Sequence, residues 1–148
     1  MTKAALVARV LLGLVFCASG LSGFLLISNP PPAPPGLAGT FQDVFFQSRW
    51  VLFVDSVELI GGILLLTKQF VPLALTLLAG VISNIVVFHI TMAPTGLPIA
   101  IIVAALWTAI ALEYRSSFAP LLVRKPPPIT TAAPPARFVR RAAAQTAA

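Results

Sequence analysis

Long apolar blocks, separated by short polar or proline-containing breaks, dominate the chain. A helix that crosses the ~30 Å hydrocarbon core of a bilayer needs about 20 mostly apolar residues. Blocks of that length end at turn formers, such as the consecutive prolines that follow the first block and forbid further helix. The pattern therefore predicts four membrane-spanning helices, at about residues 4–28, 49–66, 70–92 and 97–114.

The segments between and after these spans predict how they are connected. Consecutive spans must cross the membrane in opposite directions, so we expect an all-α, antiparallel four-helix transmembrane bundle. In the loop after the first span, residues 30–35 are proline-rich and extended, and residues 41–46 are typical of an interfacial helix leading into the second span. We place the bundle at 1–123 and predict a disordered, basic, Pro/Ala-rich tail at 124–148.

The positions of the cations predict the orientation. Lys and Arg near span ends are retained on the cytoplasmic side. If the N-terminus is cytoplasmic, the outer side has only Arg49 and the other flanking cations lie inside, which predicts that both termini are cytoplasmic (N-in/C-in). The flanking cations on the predicted cytoplasmic side are Lys3, Lys68, Arg115, Arg124 and Lys125.

Composition excludes several classes of protein. Only 9% of the residues are charged and 58% are hydrophobic, with a mean hydropathy of +0.97, whereas soluble domains have about 25% charged residues. The net charge of +6 is concentrated at the two ends of the chain, which indicates membrane orientation and no nucleic-acid partner. One Cys and one His cannot form an intrachain disulfide or a bis-histidine haem site. Redox chemistry would therefore need a partner or a soluble cofactor.

Polar residues inside the spans are the candidate site, because an ionised group at mid-span costs about 2.5–3.5 kcal/mol on insertion scales. Arg9 lies on a stripe of small residues in the first span, and Asp55 and Glu58 lie on a matching stripe in the second. We expect the stripes to face each other and Arg9 to pair with Glu58, with Glu113 as a competing partner; a purely structural pair is the alternative. The candidate intramembrane polar site comprises Arg9, Asp55, Glu58, Asn84, His89 and Glu113. We predict no catalytic residue and no metal site.

Two of these interpretations, those of the acidic pair and of His89, remain open at the level of sequence. Asp55 and Glu58 share a helix face one turn apart, so they either share a proton or Asp55 reaches water at the outer loop. Asn84 and His89 are about 140° apart on the third span, so we expect that they do not line one site directly. Asn84 suits a helix–helix hydrogen bond, and His89 is interpreted either as a snorkelling interfacial residue or as a quinone head-group contact.

Several sequence motifs lie in the predicted spans: ARVLLGL at 8–14 with Ser19-Gly20, VELIGGILLL at 57–66, FVPLAL at 70–75, Asn84 and Phe88-His89. With these motifs the chain resembles the DoxX family of small bacterial four-span membrane proteins, over about residues 7–123. Arg9 and Glu58 match polar positions of the family, whereas Asp55 stands where relatives often have a lysine. The resemblance implies a four-helix bundle in the bacterial inner membrane.

The resemblance and the polar residues leave three functions open. Some DoxX-like proteins are similar to the small subunit of thiosulfate:quinone oxidoreductase, and others are linked to oxidative-stress complexes. We therefore expect a non-catalytic membrane subunit or scaffold of a redox system, whose partners are the bilayer and a membrane or soluble oxidoreductase. One alternative is a quinone-linked oxidoreductase subunit that uses Arg9, Glu58 and His89. The other is a small proton-coupled transporter that uses Asp55 and Glu58. A homodimer also remains open.

Overall fold

The computed structural model describes residues 2–125, and this part of the chain is helical with no strand. Four of its helices, α1, α3, α4 and α5 with the turn before it, are long and apolar enough to cross a membrane. The predicted all-α, four-span fold is confirmed, and the interfacial segment of the first loop also forms a helix, α2. The elements are α1 (Lys3–Leu26), α2 (Leu37–Gln47), α3 (Trp50–Thr67), α4 (Val71–Thr91), a 3₁₀ turn (Pro94–Gly96), α5 (Leu97–Glu113) and α6 (Arg115–Phe118).

The helix ends follow from local chemistry. The side chain of Thr2 caps α1 by accepting a hydrogen bond from the Ala5 amide at 3.2 Å. Proline occupies the first turn of α4 and of α5. Backbone N–H groups in a first turn have no acceptor within the helix, so the missing N–H of proline costs no hydrogen bond there. Lys68 adopts a left-handed conformation (φ 59°) directly after α3, and its amide donates to the Leu65 carbonyl. The reversal between α3 and α4 is therefore short.

Helices α1 and α3 pack antiparallel with their backbones in direct contact. A Cβ atom added to Gly20 would lie 2.6 Å from both the Asp55 carbonyl oxygen and the Leu59 amide nitrogen. A Cβ on Gly62 would lie 2.8 Å from the backbone nitrogen of Cys17. Two helices can approach this closely only where side chains are absent. The two small-residue stripes thus face each other, as the sequence predicted.

The four long helices form a closed ring in which α3 packs on α1 and α4, and α5 packs on α4 and α1. We call the end with the α3–α4 turn the Lys68 end and the other end the α2 end. The largest fully buried side chains include Leu12, Phe16, Leu65 and Leu75, so the dense core lies towards the Lys68 end. Apolar side chains also cover the outer faces, as expected for a surface in contact with lipid. The chain is a multi-pass membrane protein.

The compact unit that contains these helices ends at Phe118. In the second unit, the described residues contain a short 3₁₀ turn, Ala119–Leu122. The predicted disordered tail, 124–148, lies outside the described residues except for Arg124 and Lys125. The N-in/C-in orientation stays a prediction.

Candidate functional site

A cavity of about 640 Å³ lies between α3 and α4 at the α2 end of the bundle. Helix α2 contributes to its wall from the loop, and Ser19 contributes from α1. Trp50 and Phe53 line the cavity and remain more than half exposed, at 58% and 59%, so the cavity is open beside them. Binding sites for small organic molecules have volumes of about 300–1,000 Å³. The cavity is therefore large enough for an organic ligand.

Two carboxyl groups form the acidic part of the cavity wall. Asp55 and Glu58 are only 7% and 5% exposed. The Ser19 side chain lies beside the Glu58 carboxyl, and the backbone of Gly23 lies beside the Asp55 carboxyl. Within the described residues, one oxygen of each carboxyl, Oδ2 of Asp55 and Oε2 of Glu58, has no hydrogen-bond partner. Buried polar atoms without partners are rare, and each one needs an explanation such as a proton, a water molecule or a ligand.

Glycines on α1 leave room for the Asp55 carboxyl group where α1 and α3 come close together. A Cβ on Gly23 would overlap Oδ2 of Asp55, so only glycine at this position lets the carboxyl fit against α1. The backbone of Asp55 in turn lies against Gly20. The contact between the helices therefore fixes the position of the Asp55 side chain.

Aromatic side chains form much of the remaining wall. The Phe41 ring lies 5.3 Å from the Phe88 ring and 5.6 Å from the Phe45 ring, measured between centroids. These contacts connect α2 to α4 across one side of the cavity. No aromatic residue was among the candidate site residues predicted from the sequence. In the sequence, the feature that indicates this wall is the four-residue spacing of Phe41 and Phe45, because it places both rings on one face of a helix. The aromatic residues that line the cavity are Phe41, Phe45, Trp50, Phe53 and Phe88.

Asn84 and His89 both line the cavity, so the expectation that they could not share a site is wrong. The cavity wraps around about half of the circumference of α4, since its lining includes positions from Gly80 to His89 that span about 180° at 100° per residue. Asn84 also differs from its prediction, because its amide donates to the Gly80 carbonyl in its own helix, at 2.9 Å, instead of to another helix. Nδ1 of His89 lies 2.9 Å from the Ala93 carbonyl oxygen.

Arg9 does not pair with Glu58, so the predicted ion pair is wrong. The guanidinium Nη1 donates to the carbonyl of Leu65 and lies 3.4 Å from that of Leu66, at the C-terminal end of α3. A helix end exposes carbonyl groups without intrahelical partners and has negative polarity, so a buried cation is stabilised there. Arg9 thus binds the Lys68 end of α3 and is remote from the cavity wall.

Glu113 also lies outside the cavity. Its side chain has Thr2 as a hydrogen-bond partner, at the start of α1. An acidic group is favourable at a helix N-terminus because of the positive polarity there. Of the six predicted site residues, the structure therefore gathers four, Asp55, Glu58, Asn84 and His89, in one cavity. The other two, Arg9 and Glu113, lie towards the Lys68 end.

The fold and this cavity define a small four-span membrane protein with an acidic, aromatic-lined, ligand-sized site between its helices. A sequence model of the DoxX family matches residues 4–90, more than half of the chain. The protein belongs to the DoxX family. Comparison with curated proteins and with solved structures gave no match.

Proposed function

We propose that the protein is a membrane subunit of a quinone-linked redox system in the bacterial inner membrane, and that its cavity binds the quinone or quinol head group. One observation carries this proposal. Two buried carboxyl groups, each with an oxygen that lacks a hydrogen-bond partner within residues 2–125, line a cavity whose other walls are largely aromatic. The family is consistent with a membrane subunit.

The residues present suit a quinone head group. Its flat ring would pack against aromatic side chains such as Phe41, Phe88 and Trp50. Its two ring oxygens need hydrogen-bond donors when oxidised, which the Ser19 hydroxyl, the Asn84 amide and a protonated Glu58 can supply. The isoprenoid chain would leave the cavity beside the exposed rings of Trp50 and Phe53, towards lipid.

Protonation is the chemical task that this chain can perform. A quinone takes up two electrons and two protons when it is reduced, and a quinol releases them when it is oxidised. A partner oxidoreductase subunit supplies or accepts the electrons. The Asp55 and Glu58 carboxyl groups accept or donate protons at the head group, while the aromatic wall excludes water and orients the ring. The chain then positions the head group and transfers its protons, while its partner transfers the electrons.

The test is purification from native membranes at the natural expression level. We expect a bound quinone in the organic extract and a copurifying oxidoreductase. The double variant Asp55→Asn/Glu58→Gln should lose most of the quinone, whereas Glu113→Gln, which changes an acid outside the cavity, should keep it. Native preparations of the unaltered protein that contain no quinone above the level of the surrounding lipid would contradict the proposal.

The acidic pair also favours a second candidate, a small proton-coupled transporter. Asp55 and Glu58 lie one turn apart on α3 and both line the cavity, so a substrate and protons could compete for them. Resistance to toxic compounds that requires both carboxylates, together with an absence of bound quinone, would favour this candidate over the redox subunit.

A further inference from the structure

We propose that the cavity is also a binding site for a lipophilic organic cation, which is a ligand class beyond the proposed redox function. The carboxyl groups that would exchange protons with a quinol become, when ionised, the counter-charge of the cation. The inference does not require a quinone or a redox partner.

The charged side chains of the cavity wall are acidic, and its other ionisable group is an imidazole. The lining contains Asp55 and Glu58, within residues 2–125 it contains no lysine or arginine, and its histidine, His89, places Nδ1 2.9 Å from the Ala93 carbonyl oxygen. Arg9, which is buried, is occupied by the Leu65 and Leu66 carbonyls at the other end of α3. Arg49 precedes the cavity residue Trp50 in sequence, but it is exposed and is not part of the lining. The ionised pair is therefore not neutralised by a lysine or arginine of the wall.

The protein also leaves the two buried carboxyl groups incompletely satisfied. Both side chains are more than nine-tenths buried, and each has one oxygen without a hydrogen-bond partner in the described part of the chain. A buried carboxylate needs a proton or an opposite charge. Because the wall has no lysine or arginine to supply that charge, a ligand can.

The aromatic wall adds a second, independent source of cation affinity. Rings attract a cation over their faces, and the attraction increases when the cation is desolvated. The indole of Trp50, which is the best ring for this interaction, lines the cavity together with four phenylalanine rings. A combination of aromatic faces and carboxylates is how proteins recognise cations that cannot donate conventional hydrogen bonds.

The size and position of the cavity define the ligand further. A volume of about 640 Å³ is far larger than a bare metal ion requires, so the occupant has a bulky organic body. The opening beside Trp50 and Phe53 lies at the apolar surface of the bundle, so the ligand enters from the bilayer. These features together indicate a monovalent, lipophilic cation with aromatic or alkyl substituents.

The test measures equilibrium binding of tetraphenylphosphonium to the full-length protein in nanodiscs of zwitterionic lipid. Tetraphenylborate, which has the same shape and the opposite charge, is the matched ligand, and empty nanodiscs correct for partitioning into lipid. We expect saturable binding of tetraphenylphosphonium only. The Asp55→Asn/Glu58→Gln variant should weaken it by about tenfold or more, because it removes both negative charges that attract the cation in a partly desolvated site. Asp43→Asn and Glu113→Gln make the same change in charge outside the cavity and should leave the affinity unchanged.

A second measurement keeps the inference testable if the double variant folds poorly. Trp107 lies in α5, where its Nε1 donates to the Leu75 carbonyl, so only Trp50 of the two tryptophans faces the cavity. Tetraphenylphosphonium should quench the fluorescence of the Trp107→Phe protein, which retains Trp50. It should quench the Trp50→Phe protein much less.

Three results would overturn the inference. The first is equal binding of both ions, and the second is tetraphenylphosphonium binding that Asp43→Asn reduces as much as the cavity variant does. A protein that retains native quinone but shows no saturable cation binding also contradicts it and leaves the proposed redox function intact. Cation binding by a protein without quinone supports the inference and contradicts the proposed function.

Discussion

Individual glycines allow a membrane helix to carry two acids. An ionised acid facing lipid would be destabilising by about 2.5–3.5 kcal/mol at mid-span. Gly23 and Gly20 on α1 let Asp55 and its backbone approach closely, so the acidic side chains point towards the protein interior and the cavity wall. These two glycines therefore matter for the site as well as for packing.

Substituting Gly20 tests this contact. We expect Gly20→Ala to destabilise the protein by about 1–3 kcal/mol, because the new Cβ would lie 2.6 Å from backbone atoms of Asp55 and Leu59, which cannot move aside as a side chain can. Gly80→Ala is the matched control, since no atom lies within 4 Å of its added Cβ. It should be neutral or stabilising by up to about 1 kcal/mol. Thermal or denaturant unfolding in detergent measures both. Equal effects of the two variants would contradict the packing described.

A double-mutant cycle tests the role of Arg9. Because Arg9 binds the carbonyls at the end of α3 and Glu58 faces the cavity, Arg9→Met and Glu58→Gln should act independently. Their effects on the free energy of unfolding should add to within about 0.5 kcal/mol. A coupling energy well above that value would restore the ion pair predicted from the sequence.

Among the secondary-structure elements, α2 has a role of its own. It is a short helix with few buried residues, Ala38 and Gly39, and it contacts α3 and, through Phe41, the Phe88 ring of α4. It follows Gly36, whose positive φ of 80° sets the direction in which the helix starts. One side of the cavity thus depends on a helix held mainly by aromatic contacts.

Loss of one aromatic ring should loosen this helix. We expect Phe41→Ala to increase amide hydrogen exchange in α2 by about tenfold, since it removes the contacts with Phe88 and Phe45. Leu37→Ala is the control, because Leu37 is 71% exposed and does not line the cavity. Exchange measured by mass spectrometry in nanodiscs that is unchanged by Phe41→Ala would show that other contacts hold α2.

Hydrophobic block length predicted the four spans well, since the bilayer thickness fixes the length of a spanning helix. It could not predict the shared cavity of Asn84 and His89, because the width of a cavity depends on where neighbouring helices separate. The positions of Arg9 and Glu58 along their spans also could not show that the Arg9 guanidinium binds carbonyls of α3 instead of the Glu58 carboxyl. Both features depend on tertiary packing between residues far apart in sequence.

The whole bundle is built asymmetrically along its axis. The dense core, including Leu12, Leu65 and Leu75, lies towards the Lys68 end, and the cavity lies at the α2 end. The dense half fixes the helices relative to one another, while the other half leaves space for a ligand. The predicted orientation would make the α2 end, with its cavity, face the outer side of the membrane.

Cysteine labelling in intact cells tests that orientation. In a Cys17→Ala background, a cysteine at the exposed residue Thr40 in α2 should react with a membrane-impermeant maleimide added outside. A cysteine at Lys68, also exposed, should react only after permeabilisation. The reverse pattern would show that the α2 end faces the cytoplasm.

The central claim is that the cavity between α3 and α4 is the ligand site of this protein. Photoaffinity labelling of the protein in nanodiscs with an azidoquinone, followed by mass-spectrometric mapping, tests that claim most directly. We expect adducts on cavity residues such as Phe41, Trp50 and Phe88, and loss of those adducts in Asp55→Asn/Glu58→Gln but not in Glu113→Gln. Adducts confined to α5 or to the Lys68 end, or unaffected by the cavity variant, would contradict it.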